Sequence, residues 1–359
     1  MSGFRAGRPA TIADVAARAG VSPATVSRVM NGTRAVDEEM TDRVRAAARE
    51  LDYSPSPLAR SLVLGRTNTV SVVVPDLGNP TFHGVLRGLS HAAARNGYHV
   101  LVADSAESVR DELVLAQQTR RRCDGLVLVA PRMSEADLNR LRQSLEPVVV
   151  VNREPADGTG TPVVTADYRS GLLGLLELLY ADGHRSLMFL AGAPQSASNA
   201  RRLAALESFV ATHPDLSVQI RACGVNFAEG YDAAGAIAAS GVTGVLAFND
   251  LVAMGLISAL SEAGIAVPGA VSVVGFDDIP FARYVTPPLT TAAVPVAELG
   301  EQAWLRMWDL LSGRPSAPTL VLSPHVVRRG STGPAADAAD PPSSPATGPA
   351  DAPGTTSGP

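Results

Sequence analysis

From Thr67 onward the chain repeats one pattern: a short uninterrupted apolar run, then a helix-length stretch of mixed polarity. The runs cover residues 70–74, 100–103, 126–129, 148–151, 187–190, 245–248 and 271–276; the helical stretches cover 84–96, 107–121, 168–182, 200–212, 228–239 and 251–263. A strand that is apolar throughout, and not merely at alternate positions, must be covered on both faces, and strands separated by helices pair in parallel. So many strand–helix units exceed one comfortable sheet. The pattern restarts near Asp167, which predicts two parallel-sheet lobes side by side. Residues 295–312 read as one further helix, and 319–329 as two short strands parted by Ser323 and Pro324.

Open α/β sheets bind ligands at the carboxyl ends of their strands. Here those ends are the loops that begin at Pro75, Asn152, Ala191, Asn249 and Asp277, and three carry paired polar residues: Asn152-Arg153, Asn249-Asp250 and Asp277-Asp278. Amides and carboxylates facing a cleft suit a polyhydroxylated small molecule, because each can engage neighbouring hydroxyls at once. Any one of them alone can equally be a helix cap, Asp250 before Leu251 in particular.

The N-terminal segment follows a different rule. Thr11, with Asp14 three residues on, and Ser22, followed by Pro23, are two helix starts; Ile12, Val15, Ala16 and Ala19 recur at helical spacing until Gly20. This is a helix, a tight turn and a second helix. On the second, Val26, Val29 and Met30 share one side and Ala24, Ser27, Arg28 and Asn31 the other. An arginine fork among small residues suits a DNA major groove, with Arg28 gripping guanine O6 and N7; an ordinary hairpin with a solvated face satisfies the same spacing. Asp37 caps a third helix whose Met40, Val44, Ala47 and Leu51 can close a small core. After the linker at 53–57, Ser56 to Gly65 reads as a two-turn helix with Leu58 and Leu62 on one face. Alone it is too short to survive in water. Either it packs on its own core, or a second copy and a DNA minor groove bury its leucines.

The net charge of −5 argues against nucleic acid until it is divided. Residues 1–66 hold ten arginines against seven acidic residues, a net +3, so the positive potential is local to the head. The chain has no lysine, a coding bias that makes arginine abundance uninformative in itself. Cys123 and Cys223 have no metal spacing and fit reduced structural thiols; His184, before a strand, reads as a surface or capping residue. No signal-peptide or membrane-span pattern is present, which predicts a cytosolic chain. Beyond Gly330 the Ala, Pro, Ser, Thr, Gly and Asp composition predicts a disordered tail through residue 359.

With these parts in place, residues 10–330 resemble the lactose/galactose repressor (LacI/GalR-type) family of bacterial transcription regulators. The motifs are TIADVAARAGVSPATVSRVMNG in the head, YSPSPLARSL in the linker, and FNDLVAMG, SVVGFDD and ARYVTPPLTT in the body. The resemblance implies a helix-turn-helix head at 1–54, a hinge at 55–66 and a periplasmic-binding-protein-like core at 67–330. Its first lobe would take 67–166 and 295–322, its second 167–294 and 323–330. It implies a homodimer on near-palindromic operator DNA, with base contacts from Pro23, Ala24 and Arg28 and phosphate contacts from Thr11, Ser22, Thr25, Ser27 and Asn31. Ala59 and Leu62 would lie in the minor groove, Leu62 as the wedge, which favours the second account of the short helix. The effector, a sugar or sugar derivative, would meet Thr81, Phe82, Asn152, Ser198, Arg202, Phe227, Asn249 and Asp277. Ser196 stands where purine-binding relatives place an arginine, which disfavours a purine. The family's tetramerising tail is absent, so a dimer is expected, located on the nucleoid.

Other classes fit less well. A sugar-binding receptor shares the two lobes but has an export signal and no basic head. A carbon-catabolite regulator with a phosphoprotein corepressor is a variant of the same family. For an enzyme there is no nucleophile elbow, phosphate-cradling glycine loop or metal cluster, and no cofactor is implied.

Overall fold

The structure, a computed structural model, describes residues 10–31, 37–54, 65–154, 160–317 and 319–335. The head consists of α1 (Ile12–Ala19), α2 (Pro23–Asn31) and α3 (Glu38–Glu50). Thr11 and Asp14 form a reciprocal capping box, and Gly20 ends α1 in the left-handed conformation (φ 66°). Val15, Ala16, Ala19, Val26, Val29, Val44, Ala47 and Ala48 are the buried core, with Ile12, Met30, Leu51 and Tyr53 packed around it. An exposed Arg18–Glu50 pair at 2.6 Å joins α1 to α3. Such a pair contributes at most about 1 kcal/mol, so the apolar core carries the head.

The body holds two six-stranded sheets. The strands of the first lobe are β1 (Thr69–Val74), β2 (His99–Asp104), β3 (Gly125–Val129), β4 (Val148–Val151), β5 (Val163–Ala166) and β11 (Leu320–Leu322), ordered β11-β5-β4-β3-β1-β2. The second lobe has β6 (Ser186–Ala191), β7 (Ser217–Ala222), β8 (Gly244–Ala247), β9 (Ser272–Asp277), β10 (Thr290–Ala293) and β12 (His325–Val327), ordered β12-β10-β9-β8-β6-β7. Every pairing is parallel except β10 with β12.

The layers around the first sheet are α4 (Pro80–Arg95), α5 (Val109–Arg120) and α6 (Glu135–Ser144), joined late in the chain by α12 (Val296–Leu311). The second sheet is covered by α7 (Tyr168–Ala181), α8 (Ala197–Thr212), α9 (Phe227–Asp232), α10 (Ala234–Ser240) and α11 (Asp250–Glu262). The chain therefore crosses between lobes three times: before α7, before α12, and between β11 and β12. Contact between α4 and α12 is direct backbone packing. A Cβ on Gly88 would lie 1.9 Å from the Ala297 carbonyl oxygen, and one on Gly300 2.0 Å from that of Val85.

Several sequence expectations need amendment. The stretch 228–239 is not one helix but α9 and α10, which meet at Ala233. Asp250 is not the cap of α11: Asn249 caps it, and Asp250 turns inward. The composition placed disorder from Gly330, yet Ser331, Thr332 and Ala335 are buried, and Ser331 Oγ donates to the Val273 carbonyl at 2.6 Å. His184 is not at the surface. It is 1 % exposed, its Nδ1 faces Thr243 Oγ1 at 2.9 Å, and its Nε2 faces Ser272 Oγ at 3.0 Å and the Gly333 carbonyl at 3.1 Å.

Burial, ahead of all other causes, holds the His184 pKa below its ordinary 6.5. The unfolded chain therefore takes up a proton near pH 6.5 that the folded chain still refuses, so this residue's stabilising contribution is full above that pH and is lost as pH falls below it. Urea unfolding at pH 7.5 and pH 5.5 should show a larger loss of stability on acidification in the native chain than in His184→Gln. Equal losses would mean that the ring is as easily protonated folded as unfolded.

Candidate DNA-reading face and effector cleft

On α2, Pro23, Ala24 and Arg28 are exposed, while Val26 and Val29 are buried, so one face is committed to the core and the other is open. Ser22 and Thr25 face each other through their hydroxyls at 2.9 Å, and Ser22 Oγ accepts the Thr25 N–H at 3.2 Å. Thr11 donates its hydroxyl to Asp14 at 2.6 Å. Ser27 is half-buried. Two of the expected phosphate contacts, Thr11 and Ser22, thus double as helix caps. The Asn31 side chain and residues 55–64, with Ala59 and Leu62, lie outside the described residues.

Between the lobes is a narrow chamber of about 40 Å³. Seven of the eight expected effector residues line it: Thr81, Phe82, Asn152, Ser198, Arg202, Asn249 and Asp277. Phe227 does not. It is the first residue of α9, 42 % exposed, with its helix start fixed by an Asn226–Glu229 capping box.

The first lobe supplies Thr81 from the start of α4, where Asn79 is the cap and accepts the Thr81 N–H at 3.0 Å. The second supplies Asp277 from the end of β9, in left-handed backbone (φ 110°). Thr81 Oγ1 donates to Asp277 Oδ2 at 2.8 Å, so one hydrogen bond closes the floor of the cleft across the lobes. Burial pushes the Asp277 carboxyl up to about 6; the Arg202 guanidinium and the Thr81 hydroxyl pull the other way. Asp250, deeper still, is held well above the carboxylate range by burial and then by the charge of Asp277. It accepts the Ile279 N–H at 2.8 Å and the Thr291 hydroxyl at 2.6 Å, which pins the loop that presents Asp277.

Arg202, 2 % exposed, stands in an aromatic box: its guanidinium carbon lies 4.0 Å from the Phe276 ring centroid, 4.5 Å from Phe248 and 5.0 Å from Tyr168. Nη1 donates to the Phe248 carbonyl, while Nε is buried with no partner among the described residues. Burial pushes its pKa down and Asp277 opposes that. A buried donor left unpaired costs about 1–3 kcal/mol, so a ligand oxygen here is favoured in advance.

Asn152 accepts the Ala166 N–H at 3.2 Å, and Ser198 shares a hydroxyl contact with Ser196 at 2.9 Å. Asn249 is more committed: Oδ1 takes the Val252 N–H at 2.9 Å and Nδ2 donates to the Val225 carbonyl at 2.7 Å.

Sequence reasoning missed Asn79, Glu107, Arg132, Tyr168 and Phe248, which also line the chamber. Glu107 and Arg132 follow β2 and β3 and pair at 2.6 Å, so the strand-end rule extended to those two strands would have found them. Tyr168 stacks on Phe276 at 5.7 Å, and burial followed by the Asp277 charge pushes its phenol upward. Among the described residues no group of three or more His, Cys, Asp or Glu can hold a metal ion, and no helix is long and apolar enough to cross a membrane.

Because the Thr81 hydroxyl stabilises the ionised form of Asp277, Thr81→Val should raise the Asp277 pKa further above about 6. Carboxyl carbon shifts followed through a pH titration would report this; an unchanged midpoint would mean that the bond does not hold the carboxylate.

Comparison with known proteins agrees at both ends of the chain. Residues 11–56 match the model described as bacterial regulatory proteins, lacI family, and residues 176–332 match a periplasmic binding protein-like domain. The HTH-type transcriptional repressor CytR of Escherichia coli K12 is 31 % identical over 344 residues, which cover 90 % of this chain and 96 % of that protein. The ribose operon repressor of the same strain is 32 % identical over 343 residues, 90 % of this chain and 99 % of that one. A crystal structure of the lac repressor dimer bound to operator and an anti-inducer superposes with a TM-score of 0.82 at 25 % identity, covering 91 % of this chain and all of that one. The similarity runs through the head and both lobes together, and on that ground the chain belongs to the lacI family of bacterial regulatory proteins.

Proposed function

We propose that this chain is a transcriptional repressor that binds operator DNA as a homodimer and releases or tightens it when a polyhydroxylated small molecule enters the interlobe chamber. The observation that carries the reading is that Arg202 and Asp277 are both buried in the lining of one cavity walled by both lobes, in a chain whose head leaves an arginine-bearing helix face open. A guanidinium and a carboxylate clamp ligand oxygens from opposite sides, one donating and one accepting.

Thr81, Phe82, Asn152, Ser198, Arg202 and Asp277 are assigned to the effector. Asn249, its side chain engaged at both ends, shapes the chamber and keeps one hydrogen and one lone pair for it. Phe227 is left out. In the head, Arg28 reads base edges, Pro23 and Ala24 contact thymine methyls, and Thr11, Ser22, Thr25, Ser27 and Asn31 position the helix on phosphates. The head spans 1–54, the hinge 55–66 and the core 67–330, and Ala59 and Leu62 of the hinge enter the minor groove. The protein works in the cytoplasm, on the nucleoid.

For the dimer, the outer side of the Thr81–Asp277 bond offers a crevice lined by Gly84, Arg87, Ile279, Pro280, Phe281 and Val296. Phe281 is 54 % exposed and neighbouring Tyr284 76 %, apolar area of the kind a second subunit covers. The lac repressor neighbour is a dimer on its operator.

A ligand that binds the two lobe arrangements unequally by about 1–3 kcal/mol changes operator affinity about 5- to 150-fold. Footprinting of the purified protein on the DNA upstream of its own gene tests the reading, and indifference to every duplex at physiological salt would end it. Arg28→Ala should weaken specific operator binding by about 1–3 kcal/mol, roughly 5- to 150-fold, and relax preference at one base pair per half-site. Competition titrations at fixed salt measure both; a uniform loss on all sequences would move Arg28 to the phosphates.

A further inference from the structure

A repressor with this composition faces an electrostatic difficulty. Beyond residue 66 the chain carries twenty arginines against twenty-eight acidic residues, so the body as a whole is acidic and is repelled by the duplex that a basic head holds. That charge is not evenly spread. At the carboxyl ends of the strands, Asp76, Glu107 and Glu229 line the space beside the chamber, with no cation among the described residues there. The opposite end of the first sheet, where the chain arrives from the hinge, holds the run Arg120-Arg121-Arg122 between α5 and β3.

The three arginines differ in their commitments. Arg120 turns inward: its guanidinium donates to the carbonyls of Leu145 at 2.8 Å, Cys123 at 2.6 Å and Glu146, which fixes the loop. Arg121 and Arg122 are exposed, and neither has a hydrogen bond or ion pair among the described residues. Two residues on, the Asp124 N–H donates to the Thr69 carbonyl at 2.8 Å, and its carboxylate accepts the N–H groups of Thr67 and Asn68. The uncommitted pair therefore sits beside the first residues after the hinge. Of the acidic groups at this end, Asp124 is spent on those N–H groups and Asp309 pairs with Arg314 at 2.8 Å, which sets exposed Glu146 alone against Arg121 and Arg122. A cation at a helix C-terminus also complements the helix dipole, but Arg120 already supplies that, and Arg122 lies beyond the helix.

We propose that Arg121 and Arg122 contact the phosphate backbone of the operator duplex, giving the body its own sequence-independent hold on DNA beside the base-reading head. The proposal rests on the repressor reading above and adds a surface to it. Guanidinium groups on a fixed loop suit phosphate oxygens, which they grip in bidentate fashion. Because both residues belong to the lobe that follows the hinge, an effector that turns this lobe alters the hold directly as well as through the hinge.

The test uses the full-length protein on a duplex carrying the site footprinted upstream of its own gene, with affinity measured across about 50–200 mM salt. Arg121→Ala combined with Arg122→Ala should flatten the slope of log affinity against log salt by about 2–4, since a dimer then releases up to four phosphates at about 0.9 each. Arg121→Lys with Arg122→Lys, which keeps the charge, should restore most of that slope. Arg110→Ala with Arg221→Ala removes equal charge from exposed positions elsewhere, the first at the opposite end of α5, and should change the slope by less than about 1. Ethylation interference should find phosphates whose modification weakens the native protein but not the alanine variant. Should thermal melting show that variant misfolded, Gln at both positions serves the same purpose. An unchanged slope overturns the proposal, as does an equal loss in the Arg110/Arg221 variant, which would reduce the effect to net charge. Failure of the native protein to bind the duplex at all overturns the repressor reading itself, a distinct result.

Discussion

Arg202 and Asp277 are buried in the lining of one cleft, near enough for each to shift the other's ionisation, and the groups around them make that burial tolerable. An isolated buried charge costs far more than a folded domain has to spare, so each must be stabilised by groups already in place. Three aromatic rings surround the guanidinium, the Phe248 carbonyl takes one of its hydrogens, and the Thr81 hydroxyl reaches over from the other lobe to the carboxylate. The arrangement is deliberately incomplete. Burial pushes the Asp277 carboxyl up to about 6, above the usual carboxylate range, and Arg202 Nε has no partner among the described residues. On the reading proposed above, a ligand oxygen that meets these groups is favoured, and because they come from both lobes its binding would depend on how the lobes are arranged.

The sequence was most readable where one residue type serves one purpose. Strands such as 148–151 are buried at every position, and four consecutive valines admit no other reading. It was least readable at the edges of the sheets. β7 alternates Ser-Val-Gln-Ile-Arg-Ala and is largely exposed, with Ile220 at 53 %, so no apolar run announces it. Helix α6 is equally quiet, because only Leu138, Leu141 and the aliphatic stem of Arg142 turn inward from a polar segment. Helix α4 starts at Pro80, four residues before the stretch read from periodicity; its signal was the Asn79-Pro80 cap.

The cleft shows the same division. Residues at strand ends, Asn152, Asn249 and Asp277, were found because topology sends every such residue to one place. Tyr168 was not, because at the lobe crossing it reads only as the first residue of a helix; that its ring stacks on Phe276 depends on a strand over a hundred residues away. Phe227 stands outside the chamber lining for the converse reason. An aromatic at the right place in the chain is turned outward by the cap that precedes it, and no property of the ring itself reveals that. His184 shows how long-range partners change a residue's character: its buried ring meets Thr243, Ser272 and, from the returning C-terminal segment, the Gly333 carbonyl.

Coupling between cleft and head requires that the first lobe move as one body, and its construction meets that requirement. Backbone contact at Gly88 and Gly300 locks α12 against α4, the helix that carries Thr81. At the far end of the sheet, where the chain arrives from the hinge, Asp124 accepts the Thr67 and Asn68 N–H groups at 2.7 and 2.9 Å and the Thr67 hydroxyl at 2.8 Å. Arg66 reaches the Leu311 carbonyl at the end of α12 at 3.4 Å. The same helix therefore meets the Thr81-bearing helix at one end and Arg66, where the proposed hinge ends, at the other. If a ligand turned α4 at Thr81, as the proposed reading requires, there would be little slack before residue 66, since close-packed backbone transmits displacement where a mobile side-chain layer would absorb it.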